Sequence, residues 1–410
     1  METSIKTSVY NWTTASPYST YASILLQNSS ANMTNLTNQN RQLQGSCESV
    51  GDIQVEMILY CIFIAIIMLS SVVGNLLTVL SIIMSRSLKK RVTFYFIASL
   101  ACSDFCFAVF LLPFRITTRL NGNRFCHAVP ACYVMIISDA IVNVASILNL
   151  LLIALDRFIA IKFPFIYTER MTGRAAKRMI AGVWSFAMLW SFLGIFRWDN
   201  NGSMISITTK PVCANVNYNF YAASSFGIYI TVLIIITSSY ITILMVALKQ
   251  IKAIEATSVT VVLLNPNNNG SPGTTDKNKK RRRRRLNREL RATKSVAIVF
   301  LAYVICWLPL YVINVIIQID SNYFLKLDKG VFLFIYYAFV EILPAVNTMI
   351  NPFIYSFSNK QFRDAFKRII SKTLGLRLNL MGQDDFCSLD MSSLPNSPSV
   401  SRMGSSMKKV

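Results

Sequence analysis

Residues 138–164 read SDAIVNVASILNLLLIALDRFIAIKFP, and this stretch decides the fold. It is apolar and long enough to cross a bilayer as one helix, yet it carries Asp139 near its start and Asp156-Arg157 near its end. Asp139 and Arg157 stand 18 residues apart, which is five helical turns and roughly 27 Å of rise. Both charges therefore lie on one face, close to opposite membrane surfaces. Ser146, a heptad below Asp139, shares that face. A carboxylate facing lipid costs about 2.5–3.5 kcal/mol on insertion scales, so this face must turn toward a cavity or a partner. The helix reads as a wire, with a cation acceptor at one end and a switchable charge at the other.

The rest of the chain agrees with that reading. Of 410 residues, 53% are apolar, and the apolar residues are gathered into long uncharged runs. Seven such runs, at about 56–84, 92–118, 129–161, 174–196, 217–249, 292–316 and 331–357, meet the roughly 20-residue length of a bilayer-crossing helix. They lack the period-2 alternation of a closed barrel, which leaves seven helices in lipid. The net charge of +22 invites a nucleic-acid reading, but its placement argues against one. Lys and Arg crowd 86–91, 162–178, 277–291 and 360–372, the loops after helices one, three and five and the tail after helix seven. On the opposite side Arg119, Arg124, Arg197 and Lys210 are the main cations. The positive-inside rule then puts the N-terminus outside and the C-terminus in the cytoplasm of a plasma-membrane protein. The run Lys279–Arg285 beside a membrane suits anionic lipid or a cytosolic partner better than nucleic acid.

Residues 1–54 are polar and Asn/Ser/Thr-rich with no cleavable signal visible, so helix one is expected to act as the signal anchor. Glycosylation sequons at Asn11, Asn28, Asn32, Asn35 and Asn201 all fall on the predicted outside. A sixth, Asn269, falls in the cytoplasmic loop and is expected to stay bare. Residues 250–285 read as a flexible charged loop and 373–410 as a disordered tail. Between them 359–370 alternates basic and apolar residues at helical spacing, an amphipathic helix for the inner surface. Four cysteines lie outside, Cys47, Cys126, Cys132 and Cys213, and allow three pairings. Joining Cys132, at the start of helix three, to Cys213 would pin the loop before helix five over the bundle mouth, leaving Cys47 for Cys126. Pro309 and Pro352 each remove a backbone hydrogen bond, so helices six and seven should kink there.

Asn75, Asp104, Asp156-Arg157-Phe158, Trp184, Cys306-Trp307-Leu308-Pro309 and Asn351-Pro352-Phe353-Ile354-Tyr355 fall one set per helix, in order. Together they resemble the rhodopsin-like G-protein-coupled receptors over residues 55–372, and the surroundings of Asp139 are most similar to the biogenic-amine subgroup. The resemblance implies an all-α bundle of seven transmembrane helices with a short cytoplasmic eighth helix, and a receptor rather than an enzyme. It implies a ligand pocket in which Asp139 holds a protonated amine, Ser224 and Ser225 bond ligand hydroxyls, and Trp307, Tyr311 and Asn314 line one stripe of helix six. Asp104, Ser146, Asn347 and Asn351 resemble the family's sodium pocket; Na+ is the single metal implied, an allosteric ion rather than a cofactor. An activation switch follows from Asp156, Arg157, Glu289, Pro309, Pro352 and Tyr355, with Arg157 pairing Asp156 and Glu289. The expected partners are a small cationic extracellular ligand, a heterotrimeric G protein, arrestin and the lipid bilayer.

Departures from the amine pattern are Phe158, Val232, Leu310, Ile342 and Ala345. Glu341 lies at heptad spacing from Thr348 and Tyr355, so it should also face the cavity. Arg115, beyond Pro113, then has two acids in reach: paired with Asp139 it would cancel the amine site, paired with Glu341 it would leave Asp139 free. Two acids and one base favour a cation. A peptide, nucleoside or lipid ligand, or a seven-span scaffold without signalling, are the alternatives. A transporter would need internal repeats or broken helices, and a protease paired groups at one depth; Asp104 and Asp139 lie at different depths, and the single histidine, His127, is in an outer loop.

Overall fold

The computed structural model describes residues 55–194, 213, 220, 223–264, 274–319 and 323–373. The sequons at Asn11, Asn28, Asn32, Asn35 and Asn201, together with Cys47, lie outside them. Every regular element among the described residues is helical. Chain order runs α1 (Val55–Met84), α2 (Arg86–Lys89), α3 (Val92–Phe110), α4 (Leu112–Leu120), α5 (Val129–Lys162), α6 (Pro164–Arg170) and α7 (Gly173–Leu193). After a π-helical turn, Ala223–Ile230, come α8 (Thr231–Leu264) and α9 (Thr274–Ile319). Then follow α10 (Lys329–Ile335), a second π-helical turn Tyr336–Ile342, α11 (Leu343–Ser358) and α12 (Lys360–Thr373).

The burial pattern is inside-out. On α1 the exposed residues Leu59, Ile62, Ile66, Leu69, Val73 and Leu76 recur every three or four positions, an entirely apolar stripe. The opposite face buries Ser71, Asn75, Thr78 and Ser81. Ile298, Leu301, Ile305, Leu308 and Val312 make the same outward stripe on α9. A soluble bundle buries such residues; here the apolar face is left for hydrocarbon, and Ser71, Asn75 and Thr78 donate hydrogen bonds within the bundle. Six helical spans are long and apolar enough to cross a membrane: Val55–Met84, Val92–Leu120, Pro130–Lys162, Phe226–Val246, Thr293–Ile316 and Gly330–Ser358. The fourth span, α7, falls short of that measure among the described residues, with Arg174, Lys177 and Arg178 crowding its first turns.

α5 is the central post, packed against α3, α7 and α8. Residues 142–147 are all buried in succession, so neighbours surround the helix on every side. α1 closes against α3 and α11. There the Asn75 side-chain amide donates to the carbonyls of Ser71 and Thr348, both at 2.9 Å, and Ser71 Oγ donates to the Thr348 carbonyl at 3.2 Å. Those carbonyls lie near Pro352, which interrupts the α11 ladder. Trp184, expected to be a packing residue, also donates from its indole to Ser99 Oγ at 3.0 Å. α12 docks under the bundle through buried Phe362, which meets the rings of Phe94 and Tyr355 at 5.3 and 5.5 Å.

The loop expected over 250–285 is a correction: α8 runs on to Leu264 and α9 starts at Thr274. The Lys/Arg-rich run that looked like a solvated linker is made of good helix formers, and an adjoining span supplies the nucleus that a free peptide would lack. Neither π-turn was foreseen either. The first lies just before Val232, in a span that lacks the proline of its resemblance.

Gly74 is the tightest point of the α1–α11 contact. A Cβ there would stand 2.9 Å from Pro352 Cγ, a ring that cannot rotate away. Gly74→Ala is therefore expected to destabilise the bundle by about 1–3 kcal/mol, the usual cost of overpacking. A lowered unfolding temperature of the purified protein in detergent is the readout; an unchanged one would mean that the two helices can separate freely here.

Candidate functional site

Between the outer ends of the spans lies a cavity of about 300 Å³. The chain builds its mouth with two local devices. Pro113, in the first turn of α4, breaks the second span after Leu111 and re-aims its outer third. That third ends in a Schellman turn: the Gly122 amide donates to the Arg119 carbonyl at 3.1 Å and the Asn123 amide to that of Thr118 at 2.9 Å. Gly122 and Asn123 take left-handed φ values of 67° and 63°, which these two residue types tolerate best. Across the mouth the wide π-turn carries Tyr336, Tyr337 and Glu341 to the cavity. The loop before the fifth span is tied to α5 by the Cys132–Cys213 disulfide. Cys126 is disulfide-bonded too, while Cys47 lies outside the described residues.

The charges of the cavity sort themselves by geometry. Arg115 Nε lies 3.5 Å from Glu341 Oε2, and its Nη1 donates to the Glu341 carbonyl at 2.7 Å. Tyr60 and Tyr336 donate their hydroxyls to the same carboxylate at 3.1 and 3.0 Å. Glu341 is thus fully engaged, and Arg115 with it. Asp139 accepts from the Asn143 amide at 3.0 Å and makes no ion pair within the described residues. A second cation, absent from the sequence-based count, also lines the cavity: Arg119, one turn beyond Arg115. The balance there is two acids and two bases, rather than two and one.

Below Asp139 the wall is aromatic. Tyr229 stacks on Tyr311 at 4.5 Å, Tyr311 on Trp307 at 6.0 Å, and Trp307 on Tyr303 at 5.8 Å. The Tyr303 and Tyr311 hydroxyls share a hydrogen bond of 2.8 Å. Trp307 and Asn314 line the cavity as well. Ser224 does too; its hydroxyl accepts the Trp190 indole N–H at 3.0 Å, a contact that does not use its own O–H donor. The side chain of Ser225 lies outside the described residues. Trp190, Tyr229 and Tyr60 were missed from the sequence, since an aromatic in an apolar span carries no mark of which way it faces.

Deeper still, Asn351 Nδ2 donates to Asp104 Oδ2 at 2.7 Å. The oxygens Ser146 Oγ, Asn347 Oδ1 and Asn351 Oδ1 are buried with no hydrogen-bond partner among the described residues. Buried polar atoms left in that state cost about 1–3 kcal/mol each unless a guest satisfies them. At the opposite end of α5 from Asp139, Arg157 donates to Asp156 Oδ2 from Nε at 3.0 Å and from Nη2 at 2.7 Å. Thr93 and Tyr167 donate to the same carboxylate at 2.6 and 2.9 Å, and Arg157 also reaches Thr93. Burial, and then the Asp156 charge, push the Tyr167 phenol up, so it stays protonated and keeps donating. Glu289 falls on α9, but its side chain lies outside the described residues. Phe158 packs its ring against Phe163 at 6.2 Å.

A sequence profile described as "7 transmembrane receptor (rhodopsin family)" matches residues 74–355. The chain belongs to the rhodopsin family of seven-transmembrane receptors. It is a G-protein-coupled receptor and not an enzyme. Similar proteins include the adenosine receptor A2b of Gallus gallus, 29% identical over 77% of this chain and 89% of that one. The D(1) dopamine receptor of Carassius auratus is 30% identical over 74% and 85% of the two chains. The D(5)-like dopamine receptor of Takifugu rubripes is also 30% identical, over 78% and 68%.

In the receptor, Thr93 and Tyr167 hold Asp156 from two sides while Asp156 holds Arg157. Tyr167→Phe deletes one donor, worth about 1 kcal/mol, so ligand-free nucleotide exchange on a G protein should rise roughly fivefold. An unchanged basal rate in membranes with matched receptor levels would show that this clamp does not bias the receptor's conformation.

Proposed function

We propose that the receptor sits in the plasma membrane with its N-terminus outside, and that it answers a small ligand carrying a protonated amine. The observation behind this reading is that Arg115 is taken by Glu341, which leaves the Asp139 carboxylate lining the cavity with an amide as its neighbour. A charge withdrawn from water without a counter-ion is costly, and an ammonium supplies one. Such a contact contributes about 1.5–3 kcal/mol when shielded from water. The ring of the ligand would lie against Tyr229, Tyr311 and Trp307. Pressure on that stack would favour an outward swing of the sixth span about Pro309, with Pro352 and Tyr355 adjusting beside it. Arg157 would then part from Glu289 and open a crevice for a heterotrimeric G protein and, later, arrestin.

Asp104, Ser146, Asn347 and Asn351 suit a sodium ion, since the orphaned oxygens are hard, neutral donors beside a carboxylate. A bound ion would balance the Asp104 charge and hold the third and seventh spans in their resting arrangement.

A nucleoside is the second reading. The Asn314 amide lines the cavity with no side-chain hydrogen bond among the described residues, and an amide pairs well with the edge of an adenine. The relatives named for adenosine and for dopamine leave both classes in play.

Two experiments test these readings. Asp139→Ala should lower amine potency by about 10- to 100-fold or more at unchanged surface expression, and leave any adenosine response in place. Equal amine potency in the variant would remove the amine assignment. In wild-type membranes, replacing sodium with a large organic cation should raise basal exchange, and Asp104→Asn should abolish that salt response. A variant as sodium-sensitive as wild type would place the ion elsewhere.

A further inference from the structure

The receptor's cavity holds two opposite charges that do not compensate each other. Arg115 and Glu341 form a closed pair, but Asp139 and Arg119 each line the cavity with no ion pair within the described residues. Arg119 is held by neutral groups alone. Its Nη1 donates to Asn123 Oδ1 at 3.1 Å and to the Tyr337 hydroxyl. Its guanidinium carbon stands 4.6 Å from the Tyr337 ring centroid and 5.7 Å from that of Tyr60. Its Nε is buried with no hydrogen-bond partner among the described residues. The π-turn carries Tyr337 and the Schellman turn carries Asn123 to the guanidinium, which rests against the adjoining rings of Tyr337 and Tyr60 rather than extending into water as a surface arginine would. A positioned guanidinium with a spare donor is the usual receptor of a carboxylate.

We infer that the ligand is a zwitterion, a small molecule bearing a carboxylate as well as an ammonium, with the ammonium on Asp139 and the carboxylate on Arg119. This rests on the amine reading of Asp139 and extends it to a second pole. A simple amine would neutralise Asp139 and leave Arg119 uncompensated; a simple acid would do the reverse. A zwitterion compensates both and adds no net charge to a cavity whose four charged residues already sum to zero. The ring stack of Tyr229, Tyr311 and Trp307 gives an apolar or aromatic side group of such a ligand a surface to pack against.

The test compares amines with the amino acids that differ from them by one carboxylate: tyramine with tyrosine, tryptamine with tryptophan, histamine with histidine. The readout is guanine-nucleotide exchange in membranes bearing the full chain. The amino acid of at least one pair is expected to act at about tenfold lower concentration than its amine, the advantage of one added charge-assisted bond. Arg119→Gln should erase that advantage and leave amine potency close to wild type, whereas Arg119→Lys should keep most of it; surface levels are measured alongside. Asp139→Asn should weaken both members of the pair. An amine equal to or better than its amino acid in all three pairs overturns the zwitterion while leaving the amine reading intact. A carboxylate advantage that survives Arg119→Gln overturns the role of Arg119, and silence toward all six compounds overturns the inference outright. Responses unaffected by Asp139→Asn would remove the amine reading with it.

Discussion

A charge inside a membrane protein has no water to fall back on, and the structure depends on how each one is compensated. Asp156 is compensated by three donors from three segments: Arg157 beside it, Thr93 on α3 and Tyr167 on α6. Glu341 is compensated by Arg115 and two tyrosines. These closed sets act as rivets, joining helices at the two faces of the bundle. At Asp139, at Arg119 and around Asp104 compensation within the described residues is less complete, and the proposed ligand and sodium sites are read from those places.

The scaffold is inverted relative to a soluble bundle. Apolar stripes on α1 and α9 face outward, and Ser71, Asn75 and Thr78 face in. Lipid gives helices no hydrophobic reason to associate, so close approach and shared hydrogen bonds must hold them. Gly74 against Pro352 supplies the first, and Asn75 with the carbonyl of Thr348 supplies the second. The same proline both loosens the helical ladder and is braced from α1, which lets the seventh span change shape locally without leaving the bundle.

The proposed signalling requires a connection between Asp139 and the Arg157 clamp at the other end of α5. Between those levels lie a stacked column of Tyr311, Trp307 and Tyr303, then the Asp104–Asn351 contact, then Tyr355 against Phe362. Stacked rings are stiff and buried amides have discrete partners, so displacement at the top is passed on as a change of partners rather than absorbed as softness.

Much of this was legible in the residues themselves. Spans follow from length and hydropathy, because a bilayer fixes how many apolar residues a helix needs. The depth and face of Asp139, Asp104 and Arg157 follow from 3.6 residues per turn, since a helix in lipid cannot hide a charge by unfolding. What the residues alone left open was which partner each long side chain would choose. Arg115 had two acids in reach, and the extra residue of the π-turn at Tyr336–Ile342 helped decide for Glu341 by setting how that carboxylate enters the cavity. Arg119 looked like an ordinary outer-surface cation until Pro113 and the turn at Gly122-Asn123 carried it to the cavity. Ser224 lines the cavity and accepts from Trp190 on another helix, a partner that helical spacing does not reveal. Local periodicity determines the face a residue occupies, but a partner is settled only when separate helices are brought within about 3 Å of each other, and that distance is a property of the tertiary fold.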